Sequence, residues 1–354
     1  MTGFADVIGH GTVTALLDRE ASAPAQAYLF VGPSSVGKAT VARRFASLLL
    51  CPGQDPSCTR RVVEGLHPDL HLVEPDGRTS LTVDQARATV SRAVLSPVEA
   101  PRKVFLFEEA GMMNDEAANA LLKTLEEPTA TTVFLLVTES EDDLPATVAS
   151  RCRTVFFGRV TEDEVVAALE AAGVGHDQAV RAAATSGGRP GLARMLATRP
   201  EVAAFRAAWL DVPQRLTERP GDAFRLAEEL VTAAKPLMEA LAERQAAELA
   251  VAEEDGGSTR VVKERHERER RRAASALHVT GLEILASWYR DAAAAQFGAP
   301  VRNREVSGTA LASIRPVVAV EHAVRVLATI ESLEANQRPD IAFAALFSDL
   351  VATG

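Results

Sequence analysis

No stretch of this 354-residue chain approaches the roughly 18 consecutive apolar residues that a membrane span requires. The opening residues, MTGFADVIGHGTVTALLDRE, hold neither a basic region nor a long apolar run, so no secretory signal is expected. Three cysteines, Cys51, Cys58 and Cys152, are too few for a disulfide framework, and an odd count fits a reducing compartment. Together these absences predict a cytoplasmic protein. An excess of positive charge is missing too. The formal net charge is −10, which excludes nucleic-acid binding by bulk electrostatics and confines any DNA contact to a local patch. There is no internal repeat of fixed period and nothing like a polymerase active site. What is there is ordinary globular composition, 47% hydrophobic and 24% charged, over a length sufficient for two or three domains with real cores.

The most informative segment is GPSSVGKAT, Gly32 to Thr40. The apolar run Ala27 to Val31 leads into it, and KATVARRFASLLLC follows with helical spacing of Val41, Phe45, Leu48 and Leu49, giving strand, phosphate loop and helix. In a P-loop, backbone N–H groups cradle phosphates, the lysine reaches the terminal ones and a final Ser or Thr binds Mg²⁺. Here Gly32, Gly37 and Lys38 stand in place, but Ala39 replaces the hydroxyl. Thr40 cannot replace it, because one residue turns a helical side chain by about 100°. Ser35 is a second departure, and a positive φ at that position would strain the loop.

Further strand-length apolar runs at Leu70 to Val73, Val104 to Phe107, Thr132 to Val137 and Thr154 to Phe157 are separated by helix-like segments. They predict an α/β fold with a parallel sheet covered on both faces. Glu108 and Glu109 end the third run, where a Walker B motif would set a metal ligand and then a base that orients water. Glu108 is one methylene longer than the usual aspartate. Helix Asp115 to Glu126 is capped by Asn114 and stopped by Pro128, and Thr161 with Glu164 forms a capping box that opens an all-helical remainder. SGGRPG, 186 to 191, reads as a turn between helices. DVPQRL, EEDGGST and the stretch 298 to 307 break the later helices. The expected domains are a core over 1–160, a helical lid over 161–203 and a C-terminal helical domain over 204–354.

NDEAANALLKTLEEP at Asn114 to Pro128 and LPATVASRC at Leu144 to Cys152 resemble the AAA+ subunits of bacterial DNA polymerase III clamp loaders. FADVIGH, AYLFVGP, HPDLHLVEP at 67 to 75, VDQARATVSRAV at 83 to 94 and SGGRPGLA at 186 to 193 extend the resemblance over roughly residues 4 to 200. Beyond it thins to LASWYRD, 285 to 291, and a final helical run containing Asn336. The resemblance implies an AAA+ P-loop sheet with a small lid and a helical collar that joins a ring with delta and tau/gamma subunits, acting on a sliding clamp and primed DNA. Tau/gamma subunits are working ATPases. Ser35, Ala39 and Glu108 point instead to the delta-prime branch, whose nucleotide sites are often degenerate, and so does the length, since tau extends well past it. ATP and Mg²⁺ are therefore doubtful ligands, and an active ATPase of tau/gamma type is the alternative.

The same resemblance makes Arg151 of the SRC tripeptide a finger reaching a neighbour's γ-phosphate, with Arg153 its nearest competitor; the opposing reading is an arginine paired with an acid on its own surface. Thr138 matches a sensor position, set against a buried hydroxyl satisfied by backbone, and Arg189 falls near a second sensor. Many relatives carry a four-cysteine zinc module after the P-loop helix. This chain keeps Cys51 and Cys58, which His67 and His71 complete on paper as a C-x₆-C…H-x₃-H set. Zinc is not expected, because both histidines belong to a phrase that relatives share independently of metal. RVVKERHERERRR, 260 to 272, reads as a solvated helix with pairs such as Glu264 to Arg268, with DNA or partner contact as the competing reading.

Overall fold

The computed structural model describes the chain apart from residues 1–2, 76–79, 128, 198, 200, 220, 255–258, 304, 335–336 and 354, and apart from the side chains of residues 240, 244, 248, 251–254, 259–261, 264, 265, 268, 272 and 334. Pro128, Asn336, the centre of EEDGGST and the Glu264 to Arg268 pair thus lie outside the described residues. Two compact units result, Met1–Glu164 and Val165–Gly354.

In chain order the first unit runs α1 (Gly11–Glu20), β1 (Ala27–Val31), α2 (Lys38–Leu50), α3 (Pro56–Val63), β2 (Leu70–Leu72), α4 (Val83–Ala93), β3 (Lys103–Phe107), α5 (Asp115–Glu126), β4 (Thr132–Thr138), α6 (Ala146–Ala149) and β5 (Arg153–Phe156). The strands form one parallel sheet in the order β2-β3-β4-β1-β5. Both faces are covered, which is why β1, β3 and β4, buried along their whole length, read as apolar runs rather than alternating ones. Tyr28, Phe30, Val104, Leu106, Val133 and Leu135 pack with Leu17, Phe45 and Val62 of α1 to α3. Leu29, Phe105, Phe107, Phe134 and Leu136 pack on the opposite face with Ala86, Ala117 and Leu121 of α4 and α5.

Local sequence sets the boundaries. Asn114 accepts the N–H of Ala117 at 2.8 Å and starts α5 beside Asp115 and Glu116, which suit the positive end of the helix dipole. Register aligns Val31 with Thr138 and Phe107 with Leu136, so the ends of β1, β3 and β4 emerge side by side at the carboxyl edge, where open parallel sheets bind ligands.

The second unit is helical: α7 (Glu162–Ala171), which starts at the Thr161–Glu164 capping box, α8 (His176–Ser186), α9 (Pro190–Ala197), α10 (Glu201–Leu210), α11 (Val212–Arg215), α12 (Asp222–Ala233), α13 (Lys235–Glu254), α14 (Thr259–Ala295), α15 (Gly308–Leu311), α16 (Pro316–Glu334) and α17 (Pro339–Ala352). The helices expected as a separate lid fall within this same unit. One reason is Arg189, which is buried and donates to both carboxylate oxygens of Glu283 on α14, at 2.7 and 2.9 Å, and to Thr280 at 3.1 Å. Trp288, Tyr289 and Asp291 of LASWYRD are core residues. Asp291 accepts the N–H groups of Arg302 and Asn303, at 2.9 and 2.7 Å, and so pins the break near 298 to 307. Among the described residues no helix is long and apolar enough to cross a membrane.

Candidate functional site

The loop between β1 and α2 has the backbone that its glycines predict. Gly32 has φ 154°, and a Cβ there would overlap the carbonyl oxygen of Phe157; Gly37, at φ 107°, faces open space. Ser35 does sit at positive φ, 61°, a conformation that costs an L-residue about 1–2 kcal/mol. His10 braces the loop from outside, with Nε2 2.9 Å from the carbonyl oxygen of Val36 and its ring edge-on to Phe157.

Lys38 is folded back into this loop. Its Nζ donates to the main-chain oxygens of Gly32 and Pro33, at 2.5 and 2.6 Å, and only 7% of the residue is exposed. Burial lowers its pKa to about 8, against the opposing pull of Glu139 and Asp143. Ala39 is half-buried and Thr40 is exposed. The absent hydroxyl is thus not replaced by its neighbour, as helix rotation requires.

Glu108 and Glu109 follow β3, and Glu109 leads into a short 3₁₀ turn, Ala110–Met112. Glu108 does not stand ready for a metal. Its Oε1 accepts the Nε–H of Arg43 at 2.6 Å, and the two side chains are 6% and 15% exposed. Arg43 lies one turn beyond Ala39 on α2 and also donates to the carbonyl of Val63 at 2.9 Å. Thr138 ends β4, and its hydroxyl donates to Asp143 Oδ2 at 2.5 Å, an oxygen that also accepts the N–H groups of Glu139 and Ser140. The buried-hydroxyl expectation therefore needs one change, since the partner is a carboxylate and not the backbone.

Arg151 is away from this loop, at the end of α6. It donates through Nε to Glu126 Oε1 at 2.8 Å, again to that oxygen through a second nitrogen, and to Thr147 O at 2.7 Å; its side chain is 34% exposed. Arg153 pairs with Glu20 at 2.5 Å. Arg189 belongs to the buried pair of the second unit.

The cysteine reading needs correction. Cys51 and Cys58 are joined as a disulfide, and His67 is close enough that the three ligand atoms lie within 4.8 Å of one another. His71 is not part of that group. It stacks on Phe105 with ring centroids 4.7 Å apart, because the two are register partners of β2 and β3 and their side chains share one face of the sheet. In 260 to 272, His266 is buried and Glu267 pairs with Arg271, the i, i+4 arrangement of a surface helix.

His10, Arg43 and Asp143 were not read from the sequence as site residues. Arg43 carried a usable signal, since it stands four residues after Ala39 and hence on the same helical face. His10 and Asp143 carried none, because their roles depend on tertiary folding.

Residues 12–161 match the family model described as DNA polymerase III, delta subunit. The chain is 40% identical over 137 residues to DNA polymerase III subunit delta' of Pseudomonas aeruginosa, covering 36% of this chain and 42% of that one. It is 39% identical over 137 residues to subunit delta' of Bacillus subtilis, covering 37% and 41%. It is 33% identical over 175 residues to subunit tau of the same organism, covering 46% and 30%. The matches thus span less than half of these curated relatives.

Proposed function

We propose that this chain, whose residues 12–161 match the family model described as DNA polymerase III, delta subunit, works as a clamp-loader subunit of delta-prime type. In this reading it assembles in the cytoplasm with delta and tau/gamma subunits and presents Arg151 to ATP held by a neighbour. Through the complex it acts on a sliding clamp and primed DNA, and it needs no cofactor of its own.

The observation that carries the reading is the internal pairing of its own nucleotide loop. Arg43 occupies Glu108, Lys38 is held by carbonyls and Ala39 offers no ligand oxygen. Arg151, by contrast, is at the surface, on a carboxylate oxygen, a carbonyl and the Ser150 hydroxyl, contacts that a phosphate can replace. A guanidinium presented in this way spreads developing phosphoryl charge and contributes about 10³-fold or more to rate. The C-terminal helices support assembly: Val317, Val320, Val324 and Leu327 form an exposed apolar stripe at helical spacing on α16. The deciding test is Arg151→Ala in the reconstituted complex. ATP turnover falls while assembly persists; unchanged turnover rejects the finger.

A second reading, an active ATPase of tau/gamma type, is favoured by the intact Gly32, Gly37 and Lys38 skeleton. It requires Mg²⁺-dependent ATP hydrolysis by the isolated chain that Lys38→Ala abolishes.

A further inference from the structure

A phosphate loop of this kind implies a nucleotide carried with its magnesium ion, and the residues present do not fit that ion. Mg²⁺ demands about six oxygen ligands in near-octahedral array and sits close to carboxylate and hydroxyl groups. At this place the hydroxyl is the methyl group of Ala39. The carboxylate, Glu108, accepts from the Arg43 guanidinium at 2.6 Å. That guanidinium is also tied to Val63 O at 2.9 Å at the end of α3, so it is held from two sides. Both charged side chains are largely buried, which strengthens their attraction and makes a second cation beside the guanidinium costly.

We infer that Arg43 is the built-in cation of this loop: it takes the place of the divalent ion on Glu108 and makes the loop indifferent to magnesium, so that any nucleotide it accepts is taken metal-free. The inference rests on the degenerate-loop reading above and names the residue that enforces it. Arg43 is one helical turn from Ala39, so the lost ligand and the added cation share one face of α2. The loss of the hydroxyl and the gain of the guanidinium act together: restoring the oxygen alone leaves Glu108 occupied.

The test measures equilibrium binding of fluorescent ADP to the isolated full chain, in millimolar Mg²⁺ and in excess EDTA. Wild type gives the same result in both, whether that is a common dissociation constant or a common absence of signal. Ala39→Thr combined with Arg43→Gln, which keeps a hydrogen-bond donor for Glu108 but removes the charge, gains at least about tenfold tighter binding in Mg²⁺ than in EDTA. Arg43→Lys, which keeps a cation, remains indifferent. Tightening of wild type by Mg²⁺ overturns the inference, and so does a folded double variant that ignores the ion. Should that double variant fail to fold, Ala39→Ser combined with Arg43→Gln carries the comparison under the same criterion. These outcomes are separate from the turnover of the Arg151→Ala complex: the loop can prove magnesium-responsive while the finger stands, and the finger can fail while the loop stays indifferent.

Discussion

Arg151 and Glu126 are joined by two guanidinium nitrogens on one carboxylate oxygen, with Nε at 2.8 Å, across the gap between the end of α6 and the last turn of α5. The pair links Glu126 of NDEAANALLKTLEEP to Arg151 of LPATVASRC, two of the phrases on which the family resemblance rests. Its side chains are 34% and 46% exposed, so solvent screens it strongly. Arg151→Ala therefore changes the stability of the isolated chain by less than about 1 kcal/mol. In the assembled complex the same substitution lowers ATP turnover at the site that Arg151 serves by about 10³-fold or more. Thermal unfolding of the chain and steady-state turnover of the complex measure the two effects. A large stability loss together with unchanged turnover assigns Arg151 to structure alone.

Gly32 and Gly37 both have positive φ but differ in what surrounds them. A Cβ at Gly37 meets open space, so Gly37→Ala carries the backbone cost alone, about 1–2 kcal/mol. At Gly32 the methyl also overlaps the carbonyl oxygen of Phe157, next to β5, and the neighbouring backbone has to move. Gly32→Ala consequently destabilises more than Gly37→Ala, by at least another 1–3 kcal/mol. Denaturant unfolding of the two variants checks the order; equal losses reject the steric argument.

The sheet and its phosphate loop were legible because each is dictated locally. The three fully buried strands, β1, β3 and β4, leave apolar runs, Asn114 announces α5, and Gly32, Gly37 and Lys38 stand at motif spacing. The pairing inside the site was not legible. Arg43 and Glu108 are 65 residues apart, and only the parallel register of β1, β4 and β3 brings the end of β3 beside α2. Lys38 is assigned by its motif to a phosphate, and the carbonyls that hold it here belong to the loop's own conformation. The same limit explains the cysteines. Their number indicated no disulfide framework, and the one pairing present depends on α3, which is started by Asp55 as N-cap and turns Cys58 back toward Cys51.

That arrangement makes a countable prediction. Cys51 and Cys58 are paired, and burial pushes the Cys152 thiol up to about 12, leaving almost no thiolate at neutral pH. The native, unreduced chain therefore yields a negligible thiol titre with a disulfide reagent. Mild reduction releases two titratable thiols, and the third appears only on unfolding. One rapidly reacting thiol in the unreduced native chain contradicts either the pairing or the inertness of Cys152, and mass mapping of the label identifies which.

The last prediction concerns the proton on Lys38. Its ordinary pKa is 10.5, and burial brings it to about 8 in the folded chain. Between those values the unfolded chain holds a proton that the folded chain has released, so stability rises with pH across that window. Below about 8 both states are protonated and the penalty for burying the ammonium is fully present, on the order of 3 kcal/mol. Lys38→Met has no such proton. The difference in melting temperature, wild type minus Lys38→Met, should be nearly flat up to about pH 8 and then climb toward pH 10.5 as the penalty is relieved. A difference that stays flat over the whole range means that Lys38 keeps an ordinary pKa. In that case the two carbonyls, with Glu139 and Asp143, compensate the buried charge fully, and the lysine is already in the state that a phosphate would require.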